Sequence, residues 1–401
     1  MADTPRQVTF GSLIKSNIRN YSMFLILALI MIIFAFLLTP TGINFSPRNI
    51  TNIFLQYSYV LILAIGMVQV IIIGGIDLSV GSVCAFIGAI SVMVYNTGIG
   101  MIPTVIIALI VGAAIGAFQG VIIAYLQIPA FIVTLAGMLL FRGLTYIITH
   151  VNPISPINDG YKQLAAGMFD FPALNIQIGN TTWHMTAIIV GAVVFVAFVI
   201  SEIISRNKRI KNDFDYLPMP FFVAKIAIIG VLIFALSQRF ATYRGFPVIV
   251  IVLAIAVFVF HFMMKNMVMG RYIYAVGGNA RSAKLSGINS EFVTFMVFCF
   301  MGTLTGLASV ISTGYMNSAL PQAGVNFEMD AIASCYIGGV SASGGIGTVI
   351  GVVVGGLVMS AINNGMILKN IGADWQYVVK AAICLLAVGY DVFNRRRSGL
   401  G

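Results

Sequence analysis

Ile71-Ile72-Ile73-Gly74-Gly75-Ile76-Asp77-Leu78-Ser79-Val80-Gly81-Ser82 sets a glycine pair, a carboxylate and a hydroxyl between two apolar runs. Glycine frees the backbone at Gly74 and Gly75, and Asp77 or Ser79 offers an oxygen to the exposed N–H groups that open the next helix. The stretch therefore predicts a helix broken inside an apolar zone. At membrane depth such a break is tolerated only where it packs in protein or lines a wet cavity. Two roles for Asp77 stay open: a cap at the membrane surface, and a group on a transport path. Tyr336-Ile337-Gly338-Gly339-Val340-Ser341-Ala342-Ser343-Gly344-Gly345-Ile346-Gly347 likewise follows one apolar run and precedes another. Two related breaks, one in each half, point to a substrate path in chains built from internal repeats.

Of the 401 residues, 59% are apolar and only 8% charged, against about 25% charged in soluble proteins. The composition excludes a soluble globular protein and predicts an all-α, polytopic membrane protein. A helix needs about 20 residues to cross the hydrocarbon. Runs of this kind fall near 22–39, 54–73, 80–97, 101–126, 131–148, 184–201, 221–238, 247–264, 292–312, 329–340, 346–364 and 375–393. The tenth is too short for a full crossing, so the expectation is about 10 to 12 transmembrane helices with broken or re-entrant segments. The first run lacks a small-x-small cleavage site and is expected to be retained.

With twelve crossings, one side holds Arg6, Lys15, Arg19, Arg206, Lys208, Arg209, Lys211, Lys265, Arg271, Arg281, Lys284 and Arg395 to Arg397; the other holds Arg48, Lys162, Arg239, Arg244 and Lys369. That bias predicts both termini inside. The net charge of +10 is thus explained by topology, not by nucleic acid. Cys84, Cys299, Cys335 and Cys384 stand far apart in apolar surroundings without metal-ligand spacing, which predicts buried thiols.

Glycines at four-residue spacing, Gly112, Gly116 and Gly120 in one run and Gly347, Gly351 and Gly355 in another, predict close helix packing. The segment 149–183, rich in proline and asparagine, predicts an ordered outer loop with turns, fit to receive a partner. On the inner side, Asn279 after Gly277-Gly278 is expected to cap a short helix from Ala280 to Ser286 that Gly287 ends. Such a helix has the shape of a docking element, although an ordinary basic connector has the same pattern.

No P-loop is present, so the chain hydrolyses no ATP unaided. The three histidines are remote from one another, and no cofactor or metal site is expected. Glu328 and Asp330 are expected to complement a helix N-terminus. Lys225 and Lys380 are expected to snorkel, and Arg142 lies deep without a nameable partner.

Gly74-Gly75-Ile76-Asp77-Leu78-Ser79-Val80-Gly81 and Gly277-Gly278-Asn279…Leu285-Ser286-Gly287-Ile288 resemble the permease subunits of bacterial ABC importers for monosaccharides, the ribose/xylose/galactose class. Asp330-Ala331-Ile332-Ala333, Ile337-Gly338-Gly339, Gly344-Gly345 and Asn363-Asn364-Gly365 match the same family in order. The resemblance covers most of the chain, with an insertion of about two spans near 184–240, as in longer xylose-type members. It implies a single permease domain in the bacterial inner membrane, a second permease copy, an extracytoplasmic sugar-binding protein and a cytoplasmic ATPase. It places an ATPase-coupling loop at Gly277, Gly278, Asn279, Arg281, Ala283, Lys284, Ser286 and Gly287. It also places Gly74, Gly75, Asp77, Ser79, Gly338, Gly339, Asn363 and Asn364 at helix breaks or on the translocation path. The reading set beside it is an ion-coupled secondary transporter of a small polar solute; an intramembrane enzyme is disfavoured by the missing acid–base cluster.

Overall fold

In the computed structural model, which describes residues 27–37, 43–212 and 216–397, long apolar runs fold as helices because only a helix satisfies each backbone polar group within its own segment. Helix α1 (Leu27–Leu37) is the described part of the first run; the rest of that run, with the charges before it, lies outside the described residues. Then come α2 (Pro47–Ile72), α3 (Val80–Val94, extended to Ile99 by a wider π turn), α4 (Met101–Ala124) and α5 (Ala130–Thr149). The loop after α5 holds a short α6 (Gln163–Ala166), β1 (Met168–Phe169), β2 (Ile176–Ile178) and β3 (Thr181–Trp183). The strands were not expected from sequence. Helices α7 (Met185–Lys211) and α8 (Met219–Ala241) lead to β4 (Phe246–Pro247), which pairs antiparallel with β1. The chain continues through α9 (Val248–Asn266), α10 (Val268–Gly278), α11 (Ala280–Leu285), α12 (Ser290–Met316), α13 (Phe327–Ile337), α14 (Val349–Leu368) and α15 (Ala373–Arg397).

Among the described residues, nine helices are long and apolar enough to cross a membrane. The run near 329–340 becomes α13, whose 11 residues span about 16 Å at 1.5 Å per residue. It reaches only halfway through the hydrocarbon.

The chain divides into two compact units. One gathers the described residues of Phe45–Asn52 and Met168–Pro247, the other those of Met23–Asn44, Ile53–Gly167 and Val248–Gly401. Within the first, α7 and α8 pack on each other, Gly191 seating against Ser237. Lys225 bonds Glu202 across that pair at 2.7 Å, so it is ion-paired and does not simply snorkel as expected. In the loop before α7, burial opposes ionisation of Asp170, but hydrogen bonds from Asn175, His184 and Thr186 outweigh it and hold the carboxyl below its usual range.

In the second unit, α4 and α12 cross at backbone contact. A side chain at Gly112 or Gly116 would strike the carbonyls of Gly302 and Phe298, so the ladder predicted from spacing is a packing face. Gly355 does the same for α14 against Ser334 of α13 and Gly338 just after it, and a side chain at Gly338 would strike the carbonyl of Gly351, whereas Gly347 lies before α14 begins and belongs to the break. Helix α2 is the core element, with 94% of its apolar window buried. All four cysteines are free; Cys84 and Cys335 are buried, Cys299 and Cys384 only partly.

Candidate functional site

Helix α2 ends where Gly74 takes φ +83°, a conformation that only glycine adopts without strain. The N–H groups of Gly74 and Gly75 close back on the carbonyls of Ile71 and Val70, both at 2.9 Å. The chain then runs non-helically to Val80. Asp77, 3% exposed, turns its carboxylate onto the residue two ahead: Oδ1 accepts from the Ser79 N–H at 2.8 Å and from its hydroxyl at 2.7 Å. Gln119 of α4 donates to the Ser79 hydroxyl at 2.9 Å. Asp77 thus closes a local turn onto Ser79, the residue before α3, and not onto the N–H groups of the helix itself. Ser79 is the residue preceding α3 but makes no side-chain cap of its own, because its hydroxyl is committed to Asp77.

The second break uses main chain. After α13, Gly338 lies against Gly351 and Val352, and Gly339 turns with φ +78°. Ser341 N–H reaches Ile346 O at 3.0 Å and Gly344 N–H reaches Ser341 O at 3.1 Å. Thr348 caps α14, its Oγ1 accepting from Gly351 N–H at 3.0 Å.

The two breaks meet, and the end of α10 meets them both. Gly345 N–H donates to the carbonyl of Ile72 at 2.9 Å, which joins the second break to the last residue of α2. A Cβ at Gly277 would collide with that same carbonyl, and one at Gly344 would lie 2.7 Å from it. Tyr274, one turn back on α10, donates its hydroxyl to Gly347 O at 2.7 Å. Gly277 and Gly278, read from sequence as the edge of a loop, are instead the last residues of α10. Their pairing with Gly344 and Gly345 had no signal in either motif alone.

Beyond this junction Asn279 accepts from Ser282 N–H at 2.9 Å and caps α11, as its position after the glycine pair predicts. Gly287, at φ +84°, ends the turn. Arg281, Lys284, Ser286 and Gly287 are exposed, and Lys284 is ion-paired to Glu291. Ala283 is 5% exposed and faces inward, so it offers no contact surface. The side chain that sequence reasoning passed over is Leu285, 85% exposed at the tip of α11.

A family model described as "Branched-chain amino acid transport system / permease component" matches residues 49–198 and 165–388. The chain belongs to this family of permeases. The xylose transport system permease protein XylH of Escherichia coli K12 is 36% identical over 396 residues, 98% of this chain and 97% of its own. XylH of Haemophilus influenzae is 35% identical over 95% and 98% of the two chains. The ribose import permease protein RbsC of E. coli K12 is 32% identical over 92% of each. No solved structure matches.

Three charges of the permease find partners that the sequence did not name. Arg142 of α5 donates to the carbonyls of Pro321 and Ala323 at 3.2 and 2.6 Å, pinning the loop that opens α13. That loop also abuts the start of α3: Gly81 faces Gly324 and the Glu328 carboxylate. Asp330 does more than complement the start of α13. Lys380 of α15 sits 2.8 Å from its Oδ1 and 2.9 Å from its Oδ2, and Asn363 of α14 bonds the same carboxylate. Lys380 is therefore ion-paired. Asn364 is buried beside Asn363 on α14. Among the described residues, Ser58 Oγ, Gln69 Oε1, Ser82 Oγ and Asn363 Oδ1 are buried without a partner, and no three His, Cys, Asp or Glu side chains come together as metal ligands.

Proposed function

We propose that this permease is the membrane subunit of an ATP-driven, binding-protein-dependent ABC importer that carries a monosaccharide, a pentose such as xylose or ribose, into the cytoplasm. The observation that carries the mechanism is the junction at the Ile72 carbonyl, which Gly345 bonds and Gly277 packs against. It gives α11 a short, stiff connection to both helix breaks. In this reading Leu285 and the basic residues Arg281 and Lys284 dock on a cytoplasmic ATPase, and Gly277, Gly278, Asn279, Ser286 and Gly287 hold α11 in place. Ala283 supports it from beneath. ATPase closure displaces α11, α10 transmits the displacement to Ile72 and Gly345, and the breaks at Gly74–Ser79 and Gly338–Thr348 change the accessible side.

A buried polar atom without a partner costs about 1 to 3 kcal/mol, so such atoms gathered on a few helices suit a path for a hydroxyl-rich solute. Gln69 Oε1 and Asn363 Oδ1 are acceptors for sugar hydroxyls, and Ser58 and Ser82 both donate and accept. The whole chain acts as one permease domain, with the α7–α8 region as an insertion, and it pairs with a second copy. The Lys and Arg bias, fourteen against five in the flanking segments, supports both termini lying on the cytoplasmic side, and the membrane of this reading is the bacterial inner membrane. A sugar-binding protein docks outside.

Uptake into vesicles holding the permease with its ATPase and binding protein tests the reading. The expected result is ATP-dependent xylose or ribose uptake without any ion gradient, abolished by Leu285→Glu with no loss of folded permease. Uptake driven by a proton or sodium gradient, without the ATPase, would replace it with an ion-coupled transporter.

A further inference from the structure

The two-stranded hairpin before α7 is exposed on both faces, and one of them is largely apolar. Ile176 stands opposite Trp183, Gln177 opposite Thr182 and Ile178 opposite Thr181. Alternate residues of a strand share a face, so Ile176, Ile178 and Trp183 lie on one side and Gln177 and Thr182 on the other. Ile176 and Ile178 are 50% and 56% exposed, and Phe169, Phe171 and Leu174 beside them are exposed as well. A lone hairpin is marginal in water, and in this one the polar Gln177 and Thr182 and the apolar Ile176 and Ile178 are exposed alike, with Trp183 half-buried.

The hairpin cannot swing freely. Asn175, just before β2, and His184, just after β3, both bond Oδ2 of Asp170, at 2.9 and 2.8 Å. Thr186, in the first turn of α7, donates to Oδ1 of the same carboxylate at 3.1 Å and accepts from Phe171 N–H at 2.9 Å. His184 N–H reaches Ala241 O at the end of α8 at 2.9 Å. Both ends of the hairpin are thereby fixed to the mouth of the α7–α8 pair.

The occupant of the apolar face follows from charge and continuity. Between Asp170 and Glu202 the chain holds no Asp, Glu, Lys or Arg, so the hairpin and the membrane helix after it form one uncharged stretch. Only 11% of the most apolar stretch of α7 and 6% of that of α8 are buried within the chain, so the chain itself leaves these helices uncovered. Trp183 precedes α7 by two residues, the headgroup level at which tryptophans collect. Trp375, the other tryptophan, likewise stands in the first turn of α15. A protein-docking surface would draw on charges for steering and register, and the hairpin has none.

We propose that the β2–β3 hairpin is an interfacial anchor whose Ile176, Ile178 and Trp183 face lies among the headgroups and upper acyl chains of neutral or zwitterionic lipid. The segment expected to receive a protein partner is to that extent occupied by the bilayer. The inference rests on the chain spanning a membrane, not on the identity of its solute.

Three proteins with a single tryptophan, reconstituted in phosphatidylcholine vesicles, test it. Trp375→Phe leaves Trp183; Ile178→Trp and Gln177→Trp, each in a Trp183→Phe, Trp375→Phe background, report the two faces of the hairpin. Lipid brominated high on the acyl chain should quench positions 183 and 178 at least twofold more than lipid brominated near the chain end. Position 177 should be quenched mainly by aqueous acrylamide, and adding anionic lipid should change none of this. Equal quenching at 177 and 178 would overturn the proposal, as would acrylamide access without bromolipid quenching at 178. So would protection of 178 that appears only with the binding protein or at high permease density.

Discussion

The two helix breaks join at Ile72 yet are closed by different means. The first closes its glycine pair on backbone, Gly74 to Ile71 and Gly75 to Val70, but its far end on a side chain, the buried carboxylate of Asp77 accepting two hydrogen bonds from Ser79. The second is sealed mainly by backbone, through Ser341 to Ile346, Gly344 to Ser341 and Gly345 to Ile72, with Thr348 capping the helix that follows. The difference follows from chain path. The second break folds back on itself and finds carbonyls along its length, whereas the first runs extended from Gly75 to Ser79, where the Ser79 N–H finds a side-chain acceptor two residues back.

The largest effect is expected at the shared point. Gly277→Val drives a branched side chain into the Ile72 carbonyl and should hit both breaks together. Overpacking of this kind costs about 1 to 3 kcal/mol, and fixed backbone gives little room to relax. Monodisperse permease recovered from detergent should fall severely. Gly278→Ala, where a Cβ meets nothing within 4 Å, should leave it near normal. If the two substitutions behave alike, the junction does not join the breaks.

Asp77→Ala should come next and act on the first break alone, since it leaves the buried Ser79 N–H without its acceptor at about 1 to 3 kcal/mol. A lowered thermal unfolding midpoint in detergent is the readout, and an unchanged midpoint would dismiss that role. Thr348→Ala should be the mildest and act on the second break. Loss of a cap costs about 0.5 to 2 kcal/mol, and the backbone bonds around it remain. Thr348→Ser should recover the midpoint; failure to do so would place the effect in the methyl group instead.

Much of this was legible in single residues. The Gly74-Gly75-x-Asp77 pattern announced the first break, and Asn279 announced the start of α11, because caps and left-handed turns are local and leave local marks. Glycine spacing announced the α4 face for the same reason. What stayed hidden depends on contacts across long stretches of chain. Nothing near Arg142 in sequence points to Pro321 and Ala323, and nothing near Lys380 points to Asp330. Lys225 and Lys380 read as snorkelling because a lysine near a span end looks the same whether or not a carboxylate awaits it. The strands around the Asp170 cluster escaped notice because two- and three-residue strands carry too few alternating positions to register. Ala283 and Leu285 sit two residues apart on a six-residue helix, too short for any period to tell the buried side from the exposed one.

Asp77→Asn tests the central claim most directly, because it keeps an acceptor oxygen and removes the charge. Uptake should be measured in reconstituted vesicles with ATPase and binding protein present, normalised to folded permease. If the carboxylate serves as the acceptor that seals the first break, uptake should stay within about threefold of the parent, the scale of one modest hydrogen-bond change. A well-folded Asp77→Asn permease that carries no sugar would contradict the account and make the charge itself part of the path.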